Sequence, residues 1–493
     1  PAAYGPCRSR SSWPLWRRQS GCKLTRCATS MAPLSPSSPA ASSRGGTEMG
    51  SHVERNRPLL QIAPMMEVTY RDFRYFMRLL TRRAQLWTEM VVDDTVLHNL
   101  EPEKCNRFLG FHPVEHPIVC QLGGSDPKKL AEAAQVVARY GYDEVNLNVG
   151  CPSSRVASKG EFGCSLMTRP EVVRDIVHEM SRAVQIPVTV KCRLGVDHQD
   201  SKEFTRDFVR TVAQGGCRHF IIHARKAWLN GLSPAQNRQV PPLHYSRVLE
   251  LCREFPDLVF SLNGGIADVA HSRRLLGFPT ERQEGETDAS MASAWGYPEA
   301  ELGLFEGIPS NLHGVMIGRG AMNNPSMLWN ADQALYGEPE PSEPLTRRNV
   351  LERYCSYLEG VHPPGDTERT VGSVHLAVKP VLGLFSGLRG HRAFRATLDA
   401  VTRVKSNRDE GPAFVLSEAM KAVEATSPGI MDEPFGVEPR YGPLGTPPGT
   451  PRSTSNGAAG SRKRKGRSPA PTAAEAAVPM EGDPPGDLAV AAT

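Results

Sequence analysis

GYDEVNLNVGCPSSR, residues 141–155, is the stretch that decides the fold. Val145, Leu147 and Val149 alternate with Glu144, Asn146 and Asn148, the period-two pattern of a strand that ends in polar residues at its C-terminal tip. Gly150, Cys151 and Pro152 then break it. A thiol therefore stands on the turn that leaves a strand, beside the amide of Asn148, which both donates and accepts hydrogen bonds. In that place a thiol is exposed to a ligand; the plainer reading is a small hydrophobe at a tight turn. The rest of the chain has to decide between them.

Working outward, short apolar runs recur on both sides, most followed by a helix-like pattern. They lie at 59–65, 86–90, 117–122, 186–193, 219–225, 258–264 and 314–318, with helical patterns at 70–81, 126–141, 170–183 and 201–213. With the opening stretch as the fourth, this is the count of a parallel (β/α)8 TIM barrel, an α/β fold. Period alone fits a doubly wound sheet equally well, so the strand ends carry the decision. Pro64 and Met65, Gln121, Asn148 with Cys151, Lys191 with Arg193, His223 with Arg225, Asn263 with Gly264 and Gly265, and Gly318 with Arg319 all stand at or just past C-terminal ends. A barrel brings those ends to one mouth, where residues distant in sequence face a single ligand.

The last two strands carry a further signal. LNGGI places two glycines directly after the seventh strand, and MIGRGA a Gly-Arg pair after the eighth, so backbone N–H groups and a guanidinium can close on a phosphate. Barrels usually hold phosphate after these two strands. The segment 277–311 between them is longer than a crossover needs and reads as a surface insertion. After about residue 343 the strands stop, and amphipathic patterns at 345–358, 375–388, 392–404 and 412–425 indicate a small all-α domain. The expected organisation is therefore an N-terminal arm 1–58, a barrel 59–340, a helical domain 341–431 and a tail 432–493. The helical part carries Arg347, Arg348, Lys379, Arg389, Arg392, Arg395, Arg403 and Lys405. Such a surface suits an RNA backbone, although an ordinary solvated surface has the same look.

Residues 1–47 contain no Asp or Glu, while Arg8, Arg10, Arg17, Arg18, Lys23, Arg26 and Arg44 sit among Ser, Ala and Pro. That is the balance of an organelle transit peptide for plastid or mitochondrion; a disordered arm or translated upstream sequence accounts for it as well, and leaves cytoplasm or nucleus as the compartment. The tail is rich in Pro, Gly, Ser, Thr and Ala and will not fold alone. Its cluster Arg462, Lys463, Arg464, Lys465 and Arg467 reads as a nuclear localisation signal, a phosphate-binding arm or merely solvated charge. Eleven cysteines without a C-x-x-C pair argue against a zinc site and a secreted disulfide framework, so no metal and a reducing compartment are expected. No apolar run reaches the length of a membrane helix. The formal charge of +5 is too modest to establish a nucleic-acid partner.

The strings APMMEVT, TEMV, CQLGGSDP, YDEVNLNVGCPSSRV, GCSLM, IPVTVKCRLGVD, FIIHARKAWLNGLSP, LNGGI and GVMIGRGAMNNP together resemble the tRNA-dihydrouridine synthases, and HARKAWLNGLSP in particular the A-type branch that modifies the D-loop. The resemblance spans roughly residues 59–425. The chain departs from it in the insertion, in both tails and at Gly320, where an acidic residue is common in the branch.

The resemblance implies an FMN-bound barrel in which NADPH reduces the flavin and the flavin passes hydride to a uracil ring of tRNA; the chain is expected to be monomeric. A proton must also reach the ring, and the thiol of Cys151 is the acid available. A thiol with its ordinary pKa of about 8.5 is mostly protonated at neutral pH, as a proton donor must be. Lys191 would face the anion that builds on the reduced ring, and Gln121 with Pro64, Met65 and Met66 would fix the ring. His223, Asn263, Gly264, Gly265, Gly318 and Arg319 would hold the phosphate. The target base must leave its stack; Asn148 would read its edge, and Arg225, Lys226 and Trp228 the neighbouring nucleotides. The alternatives are an FMN barrel acting on a free pyrimidine or enone, and a catalytically inactive tRNA-binding protein.

Overall fold

The computed structural model describes residues 58–153, 162–278, 307–366 and 370–437. The strands are β1 (Leu60–Ile62), β2 (Leu86–Val92), β3 (Ile118–Gly123), β4 (Glu144–Val149), β5 (Val188–Arg193), β6 (His219–His223), β7 (Val259–Asn263) and β8 (Leu312–Ile317). Neighbours pair in parallel in the order β1-β8-β7-β6-β5-β4-β3-β2. The ends of that order also meet, because the N–H of Ile62 donates to Gln85 O and that of Gln85 to Leu60 O, both at 2.9 Å. The expected (β/α)8 barrel is the fold.

The local grammar around β4 shows why its tip is so well placed. The helix Pro127–Tyr140 starts at Asp126, whose carboxylate accepts from the N–H groups of Lys128 and Lys129, with Pro127 in its first turn. It stops at Gly141, whose φ of +91° is left-handed. The chain then turns directly into β4, all six residues of which are buried. Val145, Leu147 and Val149 join the core shared with helical residues such as Val137 and Ile176. Asn146 and Asn148 bond side chains of β3 and β5 inside the barrel. Alternation was legible in the sequence, but the polar set faces the barrel interior and not water. Ala63, Trp87, Val119, Ile221 and Met316 form the apolar plug beside it.

Three helices that periodicity did not mark, Asp93–Leu97, Pro102–Leu109 and Tyr245–Glu254, fill the crossovers after β2 and β6. The expected helix at 375–388 is instead a helix Val371–Val378 followed by a 3-10 turn Lys379–Gly383. Pro380 has no N–H to continue the i→i−4 ladder, so the α-helix ends at Val378, while Lys379 keeps helical dihedrals (φ −57°, ψ −36°) and opens the tighter 3-10 turn. Most of the expected insertion, 279–306, and the terminal segments lie outside the described residues.

The C-terminal helices Arg347–Val361, His391–Arg403 and Pro412–Thr426 pack around Tyr354, Phe385, Phe394, Leu416 and Val423. They dock on the barrel helix Arg71–Leu80. Tyr75 stacks on Tyr357 with centroids 3.7 Å apart, and the Tyr357 hydroxyl donates to Asp72 Oδ1 at 2.8 Å. Lys379 Nζ donates to Glu67 O, on the loop that leaves β1, at 2.6 Å. The helical region therefore stands beside the barrel mouth. Among the described residues no helix is long and apolar enough to cross a membrane, and no cluster of His, Cys, Asp and Glu is arranged to hold a metal.

Candidate active site

A cavity of about 870 Å³ opens at the C-terminal ends of the strands. Strand register explains its wall. Asn148 lies beside Lys191 on β4 and β5, Arg193 beside His223 on β5 and β6, His223 beside Asn263 on β6 and β7, and Asn263 beside Met316 on β7 and β8. Residues far apart in sequence thus form one rim. Cys151 lines the cavity with Lys191 and His223. So do Pro64, Met65 and Met66 after β1, Gln121 on β3, Asn263, Gly264 and Gly265 after β7, and Gly318 with Arg319 after β8.

The turn carrying the thiol is held on both sides. Asn148 Oδ1 accepts from the N–H of Gly150 at 3.0 Å and of Cys151 at 2.9 Å, while its Nδ2 donates to Gln121 Oε1 at 2.7 Å. That leaves a single amide proton of Asn148 for a ligand. From the other side the Arg193 guanidinium donates to Gly150 O at 2.9 Å and to Lys226 O and Asn237 O at 3.0 Å each. Arg193 is 4 % exposed and bonds three carbonyls across two loops, so it ties the turn after β4 to the loop after β6.

Positive charge collects on one side of the cavity. Lys191 Nζ donates to Asn263 Oδ1 at 3.0 Å, and Asn263 Nδ2 donates to Met316 O at 2.8 Å. Burial, with Arg193 close by, pushes the Lys191 ammonium down to about 8. Burial also holds His223 well below its usual range, reinforced by Arg193, Lys191, Arg225 and Arg238, so this imidazole is neutral at physiological pH. Its Nδ1 is buried without a hydrogen-bond partner. Glu67 is the one carboxylate among the described lining residues. An anion is what this donor set fits.

The glycines complete the cradle. Gly264 and Gly265 have φ of +114° and +67°, and a Cβ on Gly265 would lie 2.5 Å from Leu243 Cδ1. Beyond β8, a Cβ on Gly320 would lie 2.6 Å from Ala267 O, so this chain has no room for the acidic residue common in the A-type branch.

The structure does not bring Arg225, Lys226 and Trp228 into the lining. Arg225 donates to Pro241 O within its own loop, Lys226 pairs with Asp200 at 2.8 Å and lies 4.4 Å from the Trp228 ring centre. Among the lining residues that the sequence reading does not single out are Arg238 and Ser233, both on the loop after β6. The bonds of Asn237 organise that loop: its Oδ1 accepts from Trp228 N at 2.7 Å and its Nδ2 donates to Trp228 O at 2.8 Å. Arg238 stands in the short 3-10 turn Gln236–Arg238, well past the end of β6, where no local sequence pattern marks it.

Comparison with known proteins agrees with this geometry. The family model described as "Dihydrouridine synthase (Dus)" matches residues 61–279 and 309–422. The tRNA-dihydrouridine(20/20a) synthase of Shewanella oneidensis is 42% identical over 337 residues, covering 68% of this chain and 87% of its own. The proteins of that name from Vibrio vulnificus and Synechocystis sp. are 40% identical over 339 residues and 39% over 374. These alignments cover 68% and 76% of this chain, and 89% and 96% of the relatives. The matched region includes both the barrel that builds the cavity and the helices beside it, and the chain belongs to the dihydrouridine synthase family of tRNA-modifying enzymes.

Proposed function

We propose that the chain reduces the C5=C6 bond of D-loop uridines in tRNA to 5,6-dihydrouridine, with FMN as its cofactor, NADPH as reductant and Cys151 as proton donor. The observation that carries this reading is the thiol turn itself: Cys151 lines the same cavity as Lys191, His223 and the Gly264–Gly265 cradle, and its backbone is fixed by Asn148. The residues present fit the cofactor. The orphaned Nδ1 of His223, the cationic side chains and the two left-handed glycines suit the phosphate end. Gln121, Met65 and Lys191 suit the ring. When bound, FMN supplies hydride chemistry to a substrate stacked against it.

The chain's own residues then have definite tasks. Dihydrouridine carries two hydrogens more than uridine, one of them arriving as hydride. The other is a proton from Cys151 Sγ, so an S–H bond breaks, a C–H bond forms, and the thiolate regains its proton from water. Lys191 lends positive charge to the cavity while it remains protonated. The apolar floor of Ala63 and Met316 keeps water from the reacting carbons. The helices beside the mouth grip the RNA, whose target base must be turned out to enter a barrel.

The test is Cys151→Ala, which should keep FMN and tRNA binding while dihydrouridine formation falls about a hundredfold or more, the scale of a lost general acid. Unchanged turnover in a folded, FMN-loaded variant would remove the thiol from the mechanism.

A further inference from the structure

The interior of the barrel holds a chain of side-chain hydrogen bonds that begins far from the mouth and ends on the thiol turn. Glu144, the first residue of β4, accepts from the Thr189 hydroxyl at 2.5 Å. Thr189 Oγ1 in turn accepts from Asn146 Nδ2 at 2.9 Å, Asn146 Oδ1 accepts from Gln121 Nε2 at 2.9 Å, and Gln121 Oε1 accepts from Asn148 Nδ2 at 2.7 Å. Asn148 Oδ1 closes the series on the N–H groups of Gly150 and Cys151. All five side chains are at most 9 % exposed, and Thr189 and Asn146, at most 2 % exposed and outside the cavity lining, are closed to any water that could replace a missing partner.

The series has a sense. Thr189 owns one hydroxyl proton and gives it to Glu144, so towards Asn146 its oxygen can only accept. Asn146 must then turn its Nδ2 to Thr189 and its Oδ1 to Gln121, and each amide fixes the next. The outcome at the far end is that Asn148 presents oxygen, not NH2, to two backbone donors. Were Thr189 to give its proton to Asn146 instead, every amide would be driven the opposite way, and Asn148 would meet those donors with a donor.

We propose that Glu144 and Thr189, remote from the cavity lining, are positioning residues for the Cys151 thiol, setting the donor–acceptor sense of the Thr189–Asn146–Gln121–Asn148 series that holds its turn. What matters at Glu144 is an acceptor oxygen, not a charge. Burial raises its carboxyl to about 7, so both protonation states are populated at neutral pH, and either retains an oxygen for Thr189. The neighbouring Gln85 makes a glutamine tolerable too: its Nε2 points to Glu144 Oε2 at 3.4 Å and its Oε1 is buried without a partner. Turning that one amide over would pair Oε1 with a glutamine NH2 at position 144.

The proposal rests on the reading of Cys151 as the acid, and its test has one arm that does not. In the full-chain holoenzyme, hydrogen–deuterium exchange at the N–H groups of Gly150 and Cys151 should accelerate at least tenfold in Thr189→Val and remain at the wild-type rate in Thr189→Ser and Glu144→Gln. Turnover should follow the same division: kcat at least tenfold lower in Thr189→Val with KM for tRNA within twofold and FMN absorbance retained, and near wild type in the two conservative variants. If Thr189→Val does not fold, Thr189→Cys, whose sulfur is a weak acceptor, should show the same losses. Wild-type exchange in the folded Val or Cys variant, or equal losses in Thr189→Ser, would overturn the proposal. Altered exchange with unaltered kcat would leave the positioning of the turn intact but overturn its role for the thiol, whereas activity surviving in Cys151→Ala fails the mechanism alone.

Discussion

Lys191 on β5 and Asn263 on β7 face each other across β6, with the ammonium donating to the amide oxygen at 3.0 Å while the amide's own donor is spent on Met316 O. No carboxylate makes this contact, so the lysine gains no counter-charge for its burial, and its proton is held weakly, at about 8 against the usual 10.5. The unfolded chain binds that proton more tightly, so between about pH 8 and 10.5 stability rises as pH rises. Below about 8 the unfavourable contribution is complete. An anionic flavin favours the charged lysine, so FMN affinity should weaken above pH 8, approaching tenfold per pH unit for one linked proton. Flavin titrations from pH 7 to 10 should show that slope in the wild type and lose it in Lys191→Met. Parallel curves in the two proteins would remove Lys191 as the linked group.

The cradle after β7 gives a second expectation, with an internal control. Gly265→Ala combines a left-handed backbone with a Cβ 2.5 Å from Leu243, a residue only 2 % exposed. Gly231→Ala meets the same backbone problem at φ +82° but has nothing within 4 Å. The backbone alone costs about 1–2 kcal/mol. Urea unfolding should therefore register that loss in both variants and more in Gly265→Ala, while FMN affinity falls only in Gly265→Ala. Equal FMN binding in the two would mean the Gly265 loop does not approach the cofactor.

How far the site was legible follows from where its information is stored. The strands and the residues at their tips are written in local order: Asn148 and Cys151, or Asn263 with Gly264 and Gly265, are each readable within a few positions. Their partnerships are not. Arg193 looked like one more basic residue at a strand end, and its work is done by three carbonyls at positions 150, 226 and 237. Arg225 looked like a ligand for RNA, yet its guanidinium turns to the carbonyl of Pro241 in its own loop. A backbone carbonyl has no sequence signature, so neither outcome could be read beforehand. The same holds for the polar face of β4, whose alternation says that two faces differ but not that the second one faces the inside of a barrel.

Arg193 supplies a third test. A lysine keeps the charge but cannot reach three carbonyls in two loops from one ammonium without losing the planar fork. Arg193→Lys should leave at least one buried carbonyl unpaired, costing about 1–3 kcal/mol in unfolding. It should also loosen Gly150, seen as faster alkylation of Cys151 by iodoacetamide with mass-spectrometric mapping. Retained stability together with unchanged alkylation would show that the carbonyl bonds are incidental.

The helical region decides between tRNA and a free pyrimidine as substrate. On the helix His391–Arg403, Phe394 and Leu398 are buried against the neighbouring helices, while Arg392 and Arg395 are exposed. Arg403 on the same helix is held by Asp399 at 2.9 Å, so it has less to offer a phosphate. Changing the exposed pair, Arg392→Glu with Arg395→Glu, touches neither the core nor the cavity. Each phosphate that is no longer neutralised lowers the salt dependence of log Kobs by about 0.7–0.9. The double variant should therefore bind tRNA at least tenfold more weakly at low salt, with a slope smaller by about 1.4–1.8 if both arginines meet phosphates. FMN content and the melting temperature should stay as they were. An enzyme whose substrate is a free base would lose no activity on that base, whereas a tRNA enzyme would show a raised KM for tRNA at unchanged kcat, because the reacting residues have not been disturbed.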